Sequence, residues 1–373
     1  MTQPPKIPKT ALPTSPKDRI DWLCLARSRR VGPATFIRLL HEYGNASAAL
    51  DALPDIALKT GAQNYQPHSR LDAKSELERG CYAGYKPLFL GTDAYPALLA
   101  EAPDAPPFLW AFGRLECGNA PNIGIVGARN ASSLGQRFAK RLASDLGEMG
   151  YIITSGLARG IDTSAHNGSL KTGTIAVTAG GIDQIYPAEN KKLEDDISKS
   201  GLLLSEQPLG LSPQARHFPQ RNRIIAGLSQ GLVVVEGALR SGSLITARAA
   251  GDLGRDVFAV PGHPMDARAA GCNVLIRDGA YLIRSAQDVH DAFETPRPRA
   301  NAPEAPVSVS PQQAPSQAIE TKILSILSSA AQTEDLIIRD CGFPPEHVNQ
   351  SLITLELTGK IQRRPGGLLG LAS

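Results

Sequence analysis

Between residues 120 and 294, short apolar runs alternate with segments of helical periodicity. The runs include NIGIVG, YIITSG, TIAVTAGG, GLVVVEG and DVFAVPG, each of which ends in glycine. They are apolar along most of their length, rather than at every second position, as is typical of strands covered on both faces. The alternation with helices indicates βαβ units. The pattern therefore predicts an α/β fold built on a doubly wound, Rossmann-like parallel sheet.

Composition divides the rest of the chain, and 373 residues suffice for two or three domains. Five prolines and the absence of an apolar core near the N-terminus predict a disordered tail and not a signal peptide. Six prolines near residue 300 predict an extended linker. The expected segments are a disordered tail (1–17), a helical SAM-like domain with a connecting segment (18–115), the Rossmann-like domain (116–294), a proline-rich linker (295–318) and a small helical unit (319–373).

The helical segment contains Gly32-Pro33 just before an amphipathic run. Proline suits the first turn of a helix, and glycine lets the chain turn tightly into it. The pattern fits a helix-hairpin-helix whose backbone amides hold a phosphate. It also fits a helical hairpin that only packs on the next domain, and a single Gly-Pro turn is weak evidence for the phosphate site.

Several classes of protein are excluded. No run approaches the roughly 18 apolar residues of a membrane span. The five cysteines are far apart and lack histidines at ligand spacing, which argues against a zinc site or a disulfide framework and favours a cytoplasmic protein. The net charge of +3 is too small to indicate a polyanionic partner by itself, so the positions of the charges must decide.

Ligands of an open parallel sheet bind beyond the carboxyl ends of the strands, so the loops there are the candidate site. The first loop lacks the G-x-G-x-x-G fingerprint, and no acidic residue ends the second strand, so we expect no dinucleotide cofactor. Instead, arginine, glycine and serine stand before helices, where they can hold phosphate. The candidates in these two loops are Gly127, Arg129, Ser132, Ser155, Gly156 and Arg159. Asp162 is expected to cap a helix and His166 to be a hydrogen-bonded core residue.

The later loops continue the pattern. Gly180 and Gly181 allow either close approach of a ligand or a tight turn, and both interpretations stay open. Residues 207–235 contain no acidic side chain but carry a basic cluster with one aromatic residue that could stack on a base. The candidates there and in the next loop are Arg216, Phe218, Arg221, Asn222, Arg223, Arg240, Ser241, Gly242 and Ser243.

No loop offers a nucleophile and base pair, and Asp183 and Glu236 are the only carboxylates expected at this edge. We therefore expect no catalytic residues and no metal, and a binding protein rather than an enzyme. Several anion sites along one edge favour a polymer backbone over a single nucleotide. Single-stranded nucleic acid is the leading hypothesis.

Six segments in order carry a resemblance to a known family: GIVGARNASSLG, TSGLARGIDTSAH, GGIDQIYPAEN, FPQRNRIIAGLS, EGALRSGSLITARAA and AVPGHP. The chain resembles the DprA/Smf (DNA-processing protein A) family. The resemblance implies an extended Rossmann-like domain flanked by an N-terminal SAM-like domain and a C-terminal winged-helix domain. It also implies a homodimer that binds single-stranded DNA, protects incoming DNA and loads the RecA recombinase during natural transformation, without enzymatic activity.

By the same resemblance, Arg129 belongs to a phosphate loop, and Phe218, Arg221 and Asn222 lie against the strand. The loop from Arg240 to Ser243 would close the pocket. The resemblance extends the path, more loosely, to Lys191, Lys192 and Arg216.

Two alternatives use the same sheet edge. One is a nucleotide-processing enzyme of the LOG-like group, whose P-G-G-x-G-T-x-x-E loop has only GGIDQIYPAEN as its nearest counterpart here. The other is a sensor of a small nucleotide.

The last unit predicts a helix-turn-helix with a short wing. Its second helix carries Glu346 and Glu356, no lysine or arginine, and only Asn349 and Gln350 as base-reading candidates, so we expect protein contacts rather than strong duplex binding. The stretch 271–283 offers Val274, Leu275, Ile276, Leu282 and Ile283 either to a dimer interface or to the domain core.

Overall fold

A computed structural model describes residues 7–59, 64–294, 316–327, 331–364 and 367–372. They form an N-terminal helical domain, a central α/β domain and a small C-terminal winged-helix domain. The predicted fold class is confirmed. The predicted proline-rich linker lies outside the described residues as far as residue 315, and its last three residues belong to a helix.

Four helices build the N-terminal domain: α1 (Pro16–Arg27), α2 (Pro33–Tyr43), α3 (Ala46–Lys59) and α4 (Arg70–Tyr82). Helix α1 begins with a capping box, in which the Ser15 side chain accepts from Asp18 N and the Asp18 carboxylate accepts from Ser15 N. Gly32 and Pro33 start α2 as the sequence indicates.

Residues 7–17 are folded, although the sequence suggested a disordered tail. Lys9–Ala11 form a short 3-10 turn, and Ala11 is buried in the core. Ile7 and Leu12 pack beside it. The apolar residues of this segment find a surface to cover, which its proline content does not reveal. Residues 1–6 lie outside the described residues.

The central domain contains a nine-stranded sheet in the order β1-β2-β6-β5-β4-β3-β7-β8-β9. Strands β3 to β9 are parallel, and β1 and β2 extend the sheet in antiparallel pairing. The strands are β1 (Lys86–Phe89), β2 (Phe108–Gly113), β3 (Asn122–Val126), β4 (Ile152–Ser155), β5 (Thr174–Val177), β6 (Leu202–Ser205), β7 (Gly231–Val234), β8 (Asp256–Ala259) and β9 (Tyr281–Leu282). The sheet thus begins within the segment interpreted as a connector before residue 116.

Helices cover both faces of this sheet. They are α5 (Ala97–Ala100), α6 (Ser133–Glu148), α7 (Ile161–Ser169), α8 (Lys191–Ser200), α9 (His217–Leu228), α10 (Gly242–Asp252), α11 (Ala270–Arg277) and α12 (Ala286–Glu294). The strand order reverses between β3 and β7, since β4 to β6 extend one way from β3 and β7 to β9 the other. Such a switch point is where sheets of this type bind ligands.

The buried side chains of the helical domain form one continuous hydrophobic core with side chains on one face of the sheet. Trp22 in α1 donates from Nε1 to the carbonyl of Pro107, at 2.8 Å, and Trp110 in β2 donates to the buried Glu76 carboxylate, at 2.9 Å. Because both indoles bury an apolar body and satisfy a polar N–H, they join the two domains firmly.

The C-terminal domain is a winged helix. Its elements are α13 (Ser316–Leu327), β10 (Gln332–Thr333), α14 (Glu334–Cys341), α15 (Pro345–Leu357), β11 (Ile361–Arg364) and β12 (Leu368–Leu371). The three strands pair antiparallel in the order β10-β12-β11, and the helices close over a core of their own. Helices α14 and α15 are the predicted helix-turn-helix.

Candidate nucleic-acid interface

A cavity of about 330 Å³ opens at the carboxyl ends of β3, β4 and β5. This volume is at the lower end of the roughly 300–1,000 Å³ range of ligand pockets, enough for a group the size of a nucleotide. Three of the predicted loops and the start of α9 line it. The lining residues that the sequence singled out are Arg129, Gly156, Arg159, Gly180 and Phe218.

An arginine and two aromatic rings form the centre of the cavity. Arg129 Cζ lies 4.7 Å from the centroid of the Phe218 ring, and the ring of Tyr186 meets Phe218 edge-on at 5.7 Å. A guanidinium stacked on a ring keeps its N–H groups at its edge, where they can bind phosphate oxygens. The cavity therefore combines a face for base stacking with a donor for phosphate.

Arg159 stands on another wall. Its Nε lies 2.7 Å from Oε1 of Glu189, and the two side chains are 62% and 52% exposed. An ion pair this exposed contributes little to stability. A phosphate can therefore replace the carboxylate at small cost.

A buried ion pair lies beneath the loop that follows β4. Arg221 is 6% exposed, and its Nη1 lies 4.0 Å from Oδ2 of Asp162 and 3.3 Å from the Val177 carbonyl oxygen. Burial lowers the pKa of Arg221 to about 10 and raises the pKa of Asp162. Asp162 also accepts from the amides of Gly156 and Ala158, so the pair holds this loop from below.

Gly156 makes room for that guanidinium, since a Cβ at this position would overlap Arg221 Nη1. The structure thus places Arg221 under the loop rather than on the surface where the sequence put it. Its Nε has no hydrogen-bond partner among the described residues.

The start of α6 is occupied by a carboxylate of the chain itself. Glu236, which follows β7, accepts from Ser132 N at 2.9 Å and from Ser132 Oγ at 2.5 Å. Ser132 also caps the helix by accepting from Gly135 N. The phosphate clamp expected here is therefore filled internally. Gly127 is confined as well, because a Cβ would lie 2.6 Å from Ile161 Cγ1.

Two further candidates are structural. Ser155 is fully buried and donates to the Ile125 carbonyl at 2.6 Å. Arg223 is not part of the cavity lining; its Nη2 donates to the Glu206 carboxylate at 2.5 and 2.6 Å, and its Nη1 donates to the Asp104 carbonyl at 2.5 Å. Neither side chain is available to a DNA strand, because partners within the chain occupy the hydrogen-bonding groups of both.

The glycine pair after β5 packs against the chain's own loop. Gly181 N donates to the Leu211 carbonyl at 2.9 Å, and a Cβ on Gly180 would lie 2.7 Å from the same oxygen. This packing fits the tight turn, and Gly180 also lines the cavity, where a ligand could approach it.

The remaining candidates are not among the residues that line the cavity. Asn222 links α9 to the start of α10 by donating to the Gly242 carbonyl at 3.2 Å, and the hydroxyls of Ser241 and Ser243 lie 2.6 Å apart. Four basic candidates are exposed: Lys191, Lys192, Arg216 and Arg240. Two of them form ion pairs within α8, Lys191 with Asp195 at 3.0 Å and Lys192 with Asp196 at 3.2 Å.

Two residues of the site were not predicted from the sequence. Tyr186 is 52% exposed at the cavity, and its aromatic character within IYPAEN was the available signal. Glu236 was considered only as a carboxylate at the edge. Its position at the start of α6 depends on a contact between residues 104 positions apart.

His166 is a core residue, as expected. It is fully buried, its Nε2 accepts from Leu157 N at 3.3 Å, and its Nδ1 lies 2.7 Å from Thr174 Oγ1. Burial lowers its pKa to about 3, so the imidazole is neutral.

Among the described residues, no helix has the length and apolarity to cross a membrane, and no three His, Cys, Asp or Glu side chains form a metal site.

Comparison with known proteins follows the domain plan. Residues 86–294 match the family described as DNA recombination-mediator protein A. Residues 16–78 match the DprA-like N-terminal HHH domain, and residues 303–367 match the DprA winged helix domain.

Individual relatives agree. The DNA processing protein DprA of Streptococcus pneumoniae is 47% identical over 204 residues, which cover 54% of this chain and 72% of that protein. The X-ray structure of DprA from the same species has a TM-score of 0.62 at 36% identity and covers 74% of this chain and 98% of its own. A Helicobacter pylori DprA structure, described as revealing a unique single-stranded DNA binding mode, has a TM-score of 0.51 at 28% identity, with 56% and 95% covered. On this evidence, the chain belongs to the DNA recombination-mediator protein A (DprA/Smf) family.

Proposed function

We propose that this chain binds single-stranded DNA along the carboxyl edge of its parallel sheet and delivers it to the RecA recombinase. The observation that carries the proposal is the stacking of Arg129 on Phe218 inside the cavity, with Tyr186 beside them. The single-stranded DNA binding named for the Helicobacter pylori relative supports it. Membership of a DNA-processing family agrees with this role.

In this proposal, a base enters the cavity and stacks on Phe218 or Tyr186, while Arg129 and Arg159 bind the flanking phosphates. The exposed basic residues continue the path on either side of the cavity: Lys191, Lys192, Arg216 and Arg240. Binding of DNA in this way tolerates any sequence, because every nucleotide offers a base that can stack and a phosphate.

Membership of the family supports the further elements of this function. They are binding without catalysis, protection of incoming DNA during natural transformation, loading of RecA, a homodimer and a cytoplasmic location. The free thiols of all five cysteines fit a reducing compartment.

The test is fluorescence anisotropy of a labelled single-stranded oligonucleotide over a salt series. We expect binding that weakens with salt, and an Arg129→Ala variant that binds more weakly with a salt slope smaller by about 0.7. Arg137→Ala, an exposed arginine of α6 outside the cavity, is the matched control. Equal losses in the two variants, or no binding at low salt, would refute the proposal.

A nucleotide sensor or LOG-like enzyme predicts another outcome of the same experiment, namely competition by a mononucleotide at low concentration irrespective of strand length. The internal Glu236 carboxylate at the start of α6 disfavours this outcome, because it repels a phosphate from the first-strand site of Rossmann-like domains.

A further inference from the structure

The winged-helix domain packs on the N-terminal helical domain through α15. Ile353 and Leu357, on one side of this helix, are buried in the core that the helical domain shares with the sheet. Val348, Leu352 and Leu355, on another side, belong to the core of the winged helix itself. The helix that would read a major groove in a DNA-bound winged helix is thus partly covered by α3 and by polar contacts from the hairpin of α1 and α2.

Between described residues, the polar contacts across this interface run in one direction. Their donors belong to the hairpin, and we call Arg30, Thr35 and Arg38 the donor row. Their acceptors belong to the winged helix. Arg30 donates to the Leu357 carbonyl at 2.7 Å, Thr35 Oγ1 to the Glu356 carboxylate at 2.6 Å, and Arg38 to the Asn349 carbonyl at 3.3 Å, with Glu334 at 3.4 Å and Glu356 at 4.0 Å.

These contacts are withdrawn from water. Thr35 is fully buried, and the side chains of Arg38 and Glu356 are 12% and 9% exposed. Arg363 of the winged helix also binds both carboxylates, at 2.7 Å to Glu334 and 3.1 Å to Glu356. Two arginines therefore share two glutamates, and loss of the carboxylate charges would leave the arginines facing each other.

The acceptors resemble what a nucleic acid backbone presents. Carboxylate oxygens, and carbonyl oxygens of α15 including one at its negative C-terminal end, meet arginines and a hydroxyl as phosphate oxygens would. The donor row begins in the turn that leads into α2, where the N-cap residue is Gly32 and supplies no side-chain cap. This turn is the Gly32-Pro33 feature for which the sequence left a phosphate role open.

We propose that the donor row is a second DNA backbone site, and that the winged helix covers it by placing its own oxygens where phosphates would bind. The winged helix is then an internal competitor of DNA. Its release adds Arg30 and Arg38 to the binding surface. The proposal does not depend on DNA binding in the cavity at Phe218.

The test opens the full chain with Glu334→Gln/Glu356→Gln, which removes both charges and retains side-chain shape. The matched control is Asp335→Asn/Glu346→Gln, an equal change of charge at exposed positions of α14 and α15. Small-angle scattering measures opening as an increase in the radius of gyration. Anisotropy with a single-stranded oligonucleotide, over a salt series, measures binding in an Arg129→Ala background.

We expect the opened variant, unlike the control, to expand and to bind DNA more tightly, with a salt slope steeper by about 1.4 for two added phosphate contacts. Adding Arg30→Ala/Arg38→Ala should remove the gain. Expansion without a gain in binding would overturn the second site, and absence of expansion would overturn the role of the carboxylates. Because the Arg129→Ala background removes a central contact of the cavity, these outcomes are separate from failure of the cavity proposal.

Circular dichroism reports whether the opened variant keeps its helices. If the winged helix unfolds in the opened variant, the test uses Arg30→Ala/Arg38→Ala without the glutamate substitutions, because this variant weakens the interface from the hairpin side. It should expand the chain without strengthening DNA binding, and stronger binding would contradict the proposal.

Discussion

At the scale of single residues, three of the arginines predicted for the site have three different environments. Arg129 is exposed and stacks on an aromatic ring, Arg221 lies beneath the loop after β4, and Arg223 forms an ion pair with Glu206 outside the cavity lining. The sequence reveals that positive charge gathers here. It does not reveal which charge has an internal partner, because Asp162 and Asp104 are distant along the chain. The cavity arginines could therefore be predicted as a group but not separated.

His166 should make the stability of the protein depend on pH. Its pKa is 6.5 when unperturbed and about 3 in the folded chain. Between these values the unfolded chain binds a proton that the folded chain excludes, so stability falls as pH falls, by up to about 1.4 kcal/mol per pH unit. In His166→Gln the free energy of unfolding should vary less steeply over this window.

The measurement is urea unfolding from pH 6.5 to pH 4. His41→Gln, which removes an exposed imidazole of α2, is the control. A slope that changes equally in both variants would contradict the assignment to His166.

At the scale of elements, continuous apolar runs predicted the parallel strands because both faces of β3 to β7 are buried. Strands β1 and β2 were not predicted, because they do not belong to βαβ units. Strand β1 pairs antiparallel with β2, and β2 pairs antiparallel with β6, nearly 90 residues further along the chain. The start of α6 likewise depends on a side chain that follows β7. Local patterns indicate elements, whereas partners of distant origin determine how the ends of elements are satisfied.

The carboxylate at the start of α6 should stabilise the fold. Glu236→Ala leaves Ser132 N without its partner and removes a negative charge from a helix N-terminus. We expect a loss of about 1–3 kcal/mol in the free energy of unfolding, measured by urea denaturation at pH 7. Glu189→Ala, which breaks an exposed ion pair, should cost less than about 1 kcal/mol. Similar costs for both variants would refute the role of Glu236.

At the scale of the whole molecule, the three-part plan followed from composition, and the contact between the first and last parts did not. The linker composition suggested a separate terminal unit, yet α15 packs on α3 of the N-terminal domain and accepts hydrogen bonds from Arg30 and Thr35. The acidic character of this helix indicated protein contacts rather than duplex reading. The structure supplies a partner within the chain, which no pattern in either segment could identify.

The proposed homodimer should form through the end of the sheet at β9. Of the stretch singled out in the sequence, Ile283 is in the core, residues 274–276 are half-buried, and Leu282 is 49% exposed beside Tyr281, also 49% exposed. Leu282→Asp should convert a dimer into a monomer, because it places a charge in an apolar interface.

Light scattering measures the mass in solution. Leu71→Asp, at an exposed leucine of α4, is the control and should keep the mass of the unmodified protein. An unmodified protein that is monomeric, or a Leu282→Asp variant that stays dimeric, would contradict this interface.

The shortness of β9 has a consequence for how such a partner attaches. A long, flat outer strand presents a row of unpaired backbone groups that invites another chain to continue the sheet, with aggregation as the hazard. Here the outer strand has two residues, Tyr281 and Leu282. They offer too little backbone for a continuous ladder. Copies meeting at this end would recognise each other through side chains, without a backbone ladder that could propagate into fibres.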